Sequence, residues 1–245
     1  MEIKERPILF SGPMVRAILD GRKTQTRRIL KKQPQSHHWE ILPGYEFFSK
    51  LLETTKGLAC RFSHCLNGRE DEPLWVNCPY GKVGDRLWVR ENYRLYLRGR
   101  GDSPGFDRVI TYPVNITRGD CTLVPSDWFD WFDSKEKSKR SFSLRPSIHM
   151  PRFASRILLE ITDIRVERLQ DINEEDAQKE GVYKLWCDTG WNRYGVDAGD
   201  ILLNNKTARG CFRMLWEWIH DEKSWDSNPF VWVVSFKPIN LGVDK

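Results

Sequence analysis

Regular hydrophobic periodicity is confined to seven short stretches of this 245-residue chain, and their order (β, α, β, β, α, α, β) narrows the fold more than any other feature. Pro7 to Phe10 reads as a strand. A helix follows, with Ser11 as N-cap, Pro13 in its first turn, Met14, Val15, Ala17 and Ile18 as its apolar face, and Gly21 as its stop. Leu87 to Val89 is a strand behind a Gly84-Asp85 turn. Ile157 to Val166 alternates as a half-buried strand, with a slip near Thr162-Asp163. Asn173 caps a short helix that Gly181 ends, with Asp176 in capping-box position. Ala208 to His220 places Phe212, Leu215, Trp216 and Ile219 on one helical face, and Phe230 to Phe236 is a dense strand of Val, Trp and Phe. Helices that do not alternate with strands argue against a doubly wound parallel sheet. The expectation is an α+β fold, a small β-barrel or curled sheet with flanking helices.

The segments between are polar or glycine-punctuated and read as long loop insertions, at about 31–75, 93–145 and 183–207. The core falls at about 5–30, 76–92, 146–182 and 208–237 of a single elaborated domain. Ser134 to Arg140 reads as a solvated loop and His37-His38 as a surface pair. A 40% hydrophobic fraction against 30% charged residues is enough for a true core and excludes a wholly disordered chain. Apolar runs stop at a few residues, as in Val231 to Val234, and the first residues are charged; no membrane span or signal peptide is expected, and the expected location is cytoplasmic. Six scattered cysteines read as reduced thiols. Trp88, Trp216 and Trp232 sit in apolar patterns and read as core, whereas Trp128, Trp131, Trp186 and Trp191 fall in loops where an indole can stack on a base.

The net charge of +5, from 39 Lys and Arg against 34 Asp and Glu, identifies no partner by itself. Its placement says more. Between Gly21 and Gln33 lie Arg22, Lys23, Arg27, Arg28, Lys31 and Lys32 with no acid among them, which fits either a phosphate-rich partner or a solvated basic face. Following a helix stop, this segment reads as a loop or extended edge outside the core. A second basic stretch, Arg145 to Arg156, contains Arg145, His149, Arg152 and Arg156 between stiffening prolines; it can grip phosphate, or His149 can be a packed linker residue.

The stretch Ile18-Leu19-Asp20-Gly21-Arg22-Lys23-Thr24-Gln25-Thr26-Arg27 resembles the opening signature of the ASCH domain. Val83 to Val89, Leu159 to Val166 leading into Ile172 to Gly181, and Val231 to Phe236 follow in that family's order, over about half the chain. The sequence is similar in particular to the longer ASCH proteins of tailed phages and prophages, and also to the small bacterial N4-acetylcytidine amidohydrolases. The resemblance implies a PUA-like small β-barrel that binds a nucleotide, a modified base or RNA in the cytoplasm of a bacterial host. Lys23, Thr26 and Glu180 match the amidohydrolase motif and are the implied catalytic residues, with Arg22, Thr24, Arg27, Arg28, Arg145, His149 and Arg152 as nucleic-acid or ligand contacts.

Those residue types suit amide hydrolysis. Thr26 supplies an oxygen nucleophile, and a neutral Lys23 takes its proton. Arg22, Arg27, Arg28 and burial lower the lysine pKa, while an ionised Glu180 beside it raises it. The same residues also make a non-catalytic nucleotide pocket, with Lys23 and Arg27 on phosphates and Thr26 bonded to its turn, or a metal-independent ribonuclease. A phage accessory factor that grips RNA, DNA or a host protein is the alternative class. No cofactor is expected. One further spacing, Cys60, His64, Cys65 and Cys78, offers thiolate and imidazole for a structural zinc ion, although adjacent His64 and Cys65 suit one tetrahedral site poorly.

Overall fold

The computed structural model describes residues 2–34, 45–54, 57–66, 69–70, 74–99, 106–112, 121–123, 144–186 and 193–240. Strand β1 (Glu5–Leu9) runs into helix α1 (Gly12–Leu19), where Pro13 opens the first turn and Val15, Ala17 and Ile18 are buried. The basic segment continues directly as strand β2 (Gln25–Ile29). Two ten-residue strands, β3 (Tyr45–Thr54) and β4 (Gly57–Leu66), form a hairpin, with β5 (Arg69–Glu70) and β6 (Leu74–Asn77) both pairing with β4. Strand β7 (Arg86–Arg90) precedes the meander β8 (Arg94–Gly99), β9 (Phe106–Thr111) and β10 (Cys121–Leu123). Then come β11 (Leu158–Arg168), helix α2 (Glu174–Lys179), a second meander of β12 (Tyr183–Leu185), β13 (Arg193–Ala198) and β14 (Ile201–Asn205), helix α3 (Ala208–His220) and β15 (Phe230–Asn240).

The central sheet has the order β1-β7-β11-β15-β2. Only β1 and β7 are parallel; the other pairs are antiparallel. The architecture is α+β, mostly sheet, with three α-helices among the described residues. The sheet does not close into a barrel. Its two edge strands, β1 and β2, are instead linked by one side chain: Arg28 Nη2 donates to the Leu9 carbonyl at 2.6 Å.

Strand β15 organises the interior because its residues alternate between two cores, as a period-2 pattern demands. Phe230, Trp232, Val234 and Phe236 join Ile8, Phe10, Ile18, Leu87, Leu159 and Ile161 on one face. Val231 and Val233 face the other way, against Phe212, Leu215 and Trp216 of α3 and Val196 and Ala198 of β13. The slip near Thr162-Asp163 is present, as a register shift between Ile161 and Asp163 in the β11–β15 ladder. Trp88, Trp216 and Trp232 are buried as expected.

Two sequence expectations are corrected. The three stretches read as loop insertions carry strands. Cys60 and Phe62 of β4, with Val76 and Cys78, pack into the main core. Gly199, with φ +73°, makes the β13–β14 hairpin turn rather than a loop. The basic segment after Gly21 is not outside the core either: Lys23, Gln25, Thr26 and Arg27 are all buried. Three opposing acids and the α3 aromatics, far away in sequence, supply that burial. Ser134 to Arg140, His37 and His38 lie outside the described residues.

Candidate functional site

The site forms where α1 hands over to β2. Gly21 ends the helix, and the amides of Arg22 and Lys23 both return to the Ala17 carbonyl, at 2.8 and 2.9 Å, which turns Lys23 inward. The next residue is held from both sides. The Thr24 amide donates to the Lys179 carbonyl at 2.9 Å, and the Thr24 carbonyl accepts from the Phe236 amide at 2.8 Å. The end of α2 is thereby placed against β2, with Lys23 and Glu180 in an antiparallel bridge. Gly181 permits this approach. Its φ is +108°, and a Cβ there would stand 3.3 Å from that of Ala17 and 3.6 Å from that of Lys23.

Within this clamp Lys23 Nζ donates to Glu180 Oε2 at 2.6 Å and to the Glu180 carbonyl at 2.9 Å. The lysine side chain is 1% exposed. Burial pushes its pKa below the ordinary lysine value; the Glu180 carboxylate opposes that shift, and Arg28 and Arg27 add to it.

Arg27 anchors the carboxylates. Its Nη1 donates to Gln25 Oε1 at 2.7 Å and Glu180 Oε1 at 3.1 Å, and its Nη2 to Glu167 Oε1 at 2.6 Å and Asp176 Oδ2 at 3.1 Å. Arg165 closes the network through Glu167 at 2.9 Å and Asp176 at 2.5 Å. Three cations, Lys23, Arg27 and Arg165, thus face three anions, Glu167, Asp176 and Glu180. Within this cluster each cation is already bonded to a carboxylate.

Thr26 is buried and lines a narrow cleft with Arg27, Arg28, Glu180, Met14 and, from α3, Phe212, Leu215, Trp216, Ile219 and His220. Among the described residues no hydrogen bond joins the Thr26 hydroxyl to Lys23 or Glu180. The His220 ring stacks on Trp216 with centroids 4.3 Å apart, and burial followed by Arg28 pushes its pKa below the usual histidine value. A larger hollow of about 340 Å³, between Arg6, Cys78 and Asp85, contains none of Lys23, Thr26 and Glu180.

The other predicted contacts are dispersed. Arg22 is tied to Asp20 at 2.9 Å and to the Gly181 carbonyl at 3.2 Å, with its guanidinium over Tyr183. Arg145 forms a backbone bridge with Tyr93, and the exposed His149 accepts the Tyr93 hydroxyl on its carbonyl. Exposed Arg152 pairs with Glu5 at 2.8 Å. Arg156 is buried against Glu91 at 2.8 Å and is no phosphate grip. Arg145, His149 and Arg152 therefore belong to a different part of the molecule from the cleft. Trp186 is exposed; Trp128, Trp131 and Trp191 lie outside the described residues.

The zinc alternative fails on geometry. Cys60 and Cys65 lie five positions apart on the single strand β4, roughly 16 Å of extended chain, whereas ligands of one zinc ion lie within about 4 Å of each other. Burial pushes the Cys60 thiol up to about 12. Among the described residues no group of three or more His, Cys, Asp or Glu is placed to hold a metal ion, and no helix is long and apolar enough to cross a membrane.

Sequence reasoning missed Glu167, Asp176, Arg165 and the α3 wall. The alternation Arg165-Val166-Glu167 does put both charged groups on one face of β11, a legible signal, but nothing local says that the face is buried. No family model, curated protein or solved structure matches this chain.

Proposed function

We propose that the chain is an ASCH-family hydrolase with a PUA-like core, acting on the amide of an N4-acylated cytidine-type nucleoside. The observation that carries this reading is the buried Lys23–Glu180 pair, in which burial lowers the lysine pKa and Glu180 lines a cleft together with Thr26. A neutral amine is a base; an ordinary surface lysine is not.

The chemistry uses one shuttled proton. Lys23 takes the proton of the Thr26 hydroxyl as the threonine oxygen bonds to the acyl carbon. The resulting ammonium, steadied by Glu180, returns that proton to the departing nitrogen as the C–N bond breaks. Water then repeats the sequence on the acyl ester, releasing the carboxylic acid and restoring Thr26. The cluster of Glu167, Asp176 and Glu180 around Arg27 favours a neutral amide over a phosphodiester, which weighs against the ribonuclease reading. It also weighs against a phosphate-gripping pocket at this place.

Purified protein incubated with N4-acetylcytidine should release cytidine, followed by the change in ultraviolet absorbance. The rate should rise with pH as Lys23 loses its proton, and the rise should fall below the ordinary lysine value of 10.5 because the folded pKa is lowered. Thr26→Ala should abolish turnover with the fold intact. An active alanine variant would remove Thr26 from the nucleophile role, and no turnover by concentrated wild-type protein would remove the reaction.

A further inference from the structure

The hollow beside β1 holds two cations that no acid answers. It has a volume of about 340 Å³ and is walled by Lys4, Arg6, Leu58, Cys78, Lys82 and Asp85, among others. Alternation along the strand sets which side chains face it. Ile8 joins the main core, and Arg6, two residues earlier, shares its face. Lys4, whose carbonyl accepts the Arg86 amide at 2.9 Å, continues the same alternation. Glu5 takes the opposite face, pairing with Arg152 at 2.8 Å and Arg86 at 3.9 Å. The Arg6 charge also reaches the sulfur of Cys78, a core residue on the cavity wall. Burial pushes that thiol up, and Arg6 is among the groups that oppose the shift.

The acids of the hollow are committed elsewhere. Asp85 accepts the Lys4 and Lys82 amides, both at 3.1 Å. Glu53 takes the Lys82 ammonium at 3.1 Å. Glu2 is exposed and pairs with neither Lys4 nor Arg6. Among the described residues Lys4 and Arg6 make no ion pair, although Arg6 is half-buried. A guanidinium drawn partly out of water without a counter-charge is destabilising, and a bound anion offsets that.

Volume and chemistry together define the occupant. Ligand pockets begin at about 300 Å³, so the hollow is large enough for a small organic molecule. A guanidinium fork matches the paired oxygens of a carboxylate or a phosphate, and Lys4 adds a second positive charge. We propose that this cavity binds a small organic oxyanion, a molecule bearing a carboxylate or phosphate group that pairs with Arg6 and Lys4 while its remainder lies against Leu58 and Cys78. The site does not rest on the hydrolase reading, because Lys23, Thr26 and Glu180 are absent from its walls.

Titration calorimetry at constant ionic strength tests this, with inorganic phosphate and succinate as the probes. Wild type should bind at least one of them saturably at millimolar concentrations. Arg6→Gln should weaken that binding by roughly tenfold or more, the loss of a charge-assisted contact. Arg6→Lys, which keeps the charge without the fork, should fall between the two. Arg152→Gln, beyond the opposite face of β1, should bind as wild type does. Lys4→Gln changes an exposed side chain and should also weaken binding, so it serves if Arg6→Gln fails to fold. Binding of phosphate alone assigns a phosphorylated ligand, and of succinate alone a carboxylate; binding of both keeps the wider oxyanion class. No heat with either probe, or equal affinity in wild type, Arg6→Gln and Lys4→Gln, overturns the site. Hydrolysis of N4-acetylcytidine should be the same in wild type and Lys4→Gln, so the failure of either reading leaves the other standing.

Discussion

Arg27 shows how far a residue's role depends on partners remote in sequence. Its guanidinium serves Gln25, Glu167, Asp176 and Glu180 at once and is fully buried. Removing one member of a buried ionic cluster leaves the others uncompensated, at about 3–5 kcal/mol. Arg27→Met should therefore lose about that much stability in urea denaturation. Arg27→Lys should fail to restore it, because one ammonium cannot reproduce the guanidinium fork. Equal stability of the lysine variant would show that Arg27 acts only as a point charge. In the sequence, Arg27 looks like any member of a solvated basic run; its acids come from β11 and α2, more than a hundred residues on.

At the scale of elements, the α2–β2 junction fixes the site. Gly181 combines a φ of +108° with close approaches to Ala17 and Lys23, whereas Gly199, φ +73°, faces open space. Gly181→Ala and Gly199→Ala should each cost roughly 1–3 kcal/mol for the backbone. Only the first should also reduce turnover of N4-acetylcytidine, because only there does the new methyl crowd a neighbour, the Ala17 methyl that packs beside Lys23. Equal activity in the two variants would uncouple the junction from the site. The helices, the β11 slip and the β15 strand were all legible, because period 3.6, a broken alternation and a β-branched run are local signals. The β3–β4 hairpin was not: in β4 the adjacent Ala59 and Cys60 are both buried, so the sequence does not alternate as a half-buried strand does.

At the scale of the molecule, the two cores share β15, and both the site and its cleft hang from one edge of the sheet that strand organises. The convergence of Lys23 with Glu180 was legible from the family resemblance. The acidic partners and the α3 wall were not, since burial of a charged face is a property of the assembled layers rather than of any segment. The unclosed sheet has a consequence of its own. Where β1 and β2 face each other, the Arg28–Leu9 link replaces a ladder of backbone bonds. In heavy water, amide hydrogens along that seam should give way to deuterium well before those of β11 and β15, which are zipped on both sides. Neutralising Arg28 as glutamine should quicken the exchange there and nowhere else.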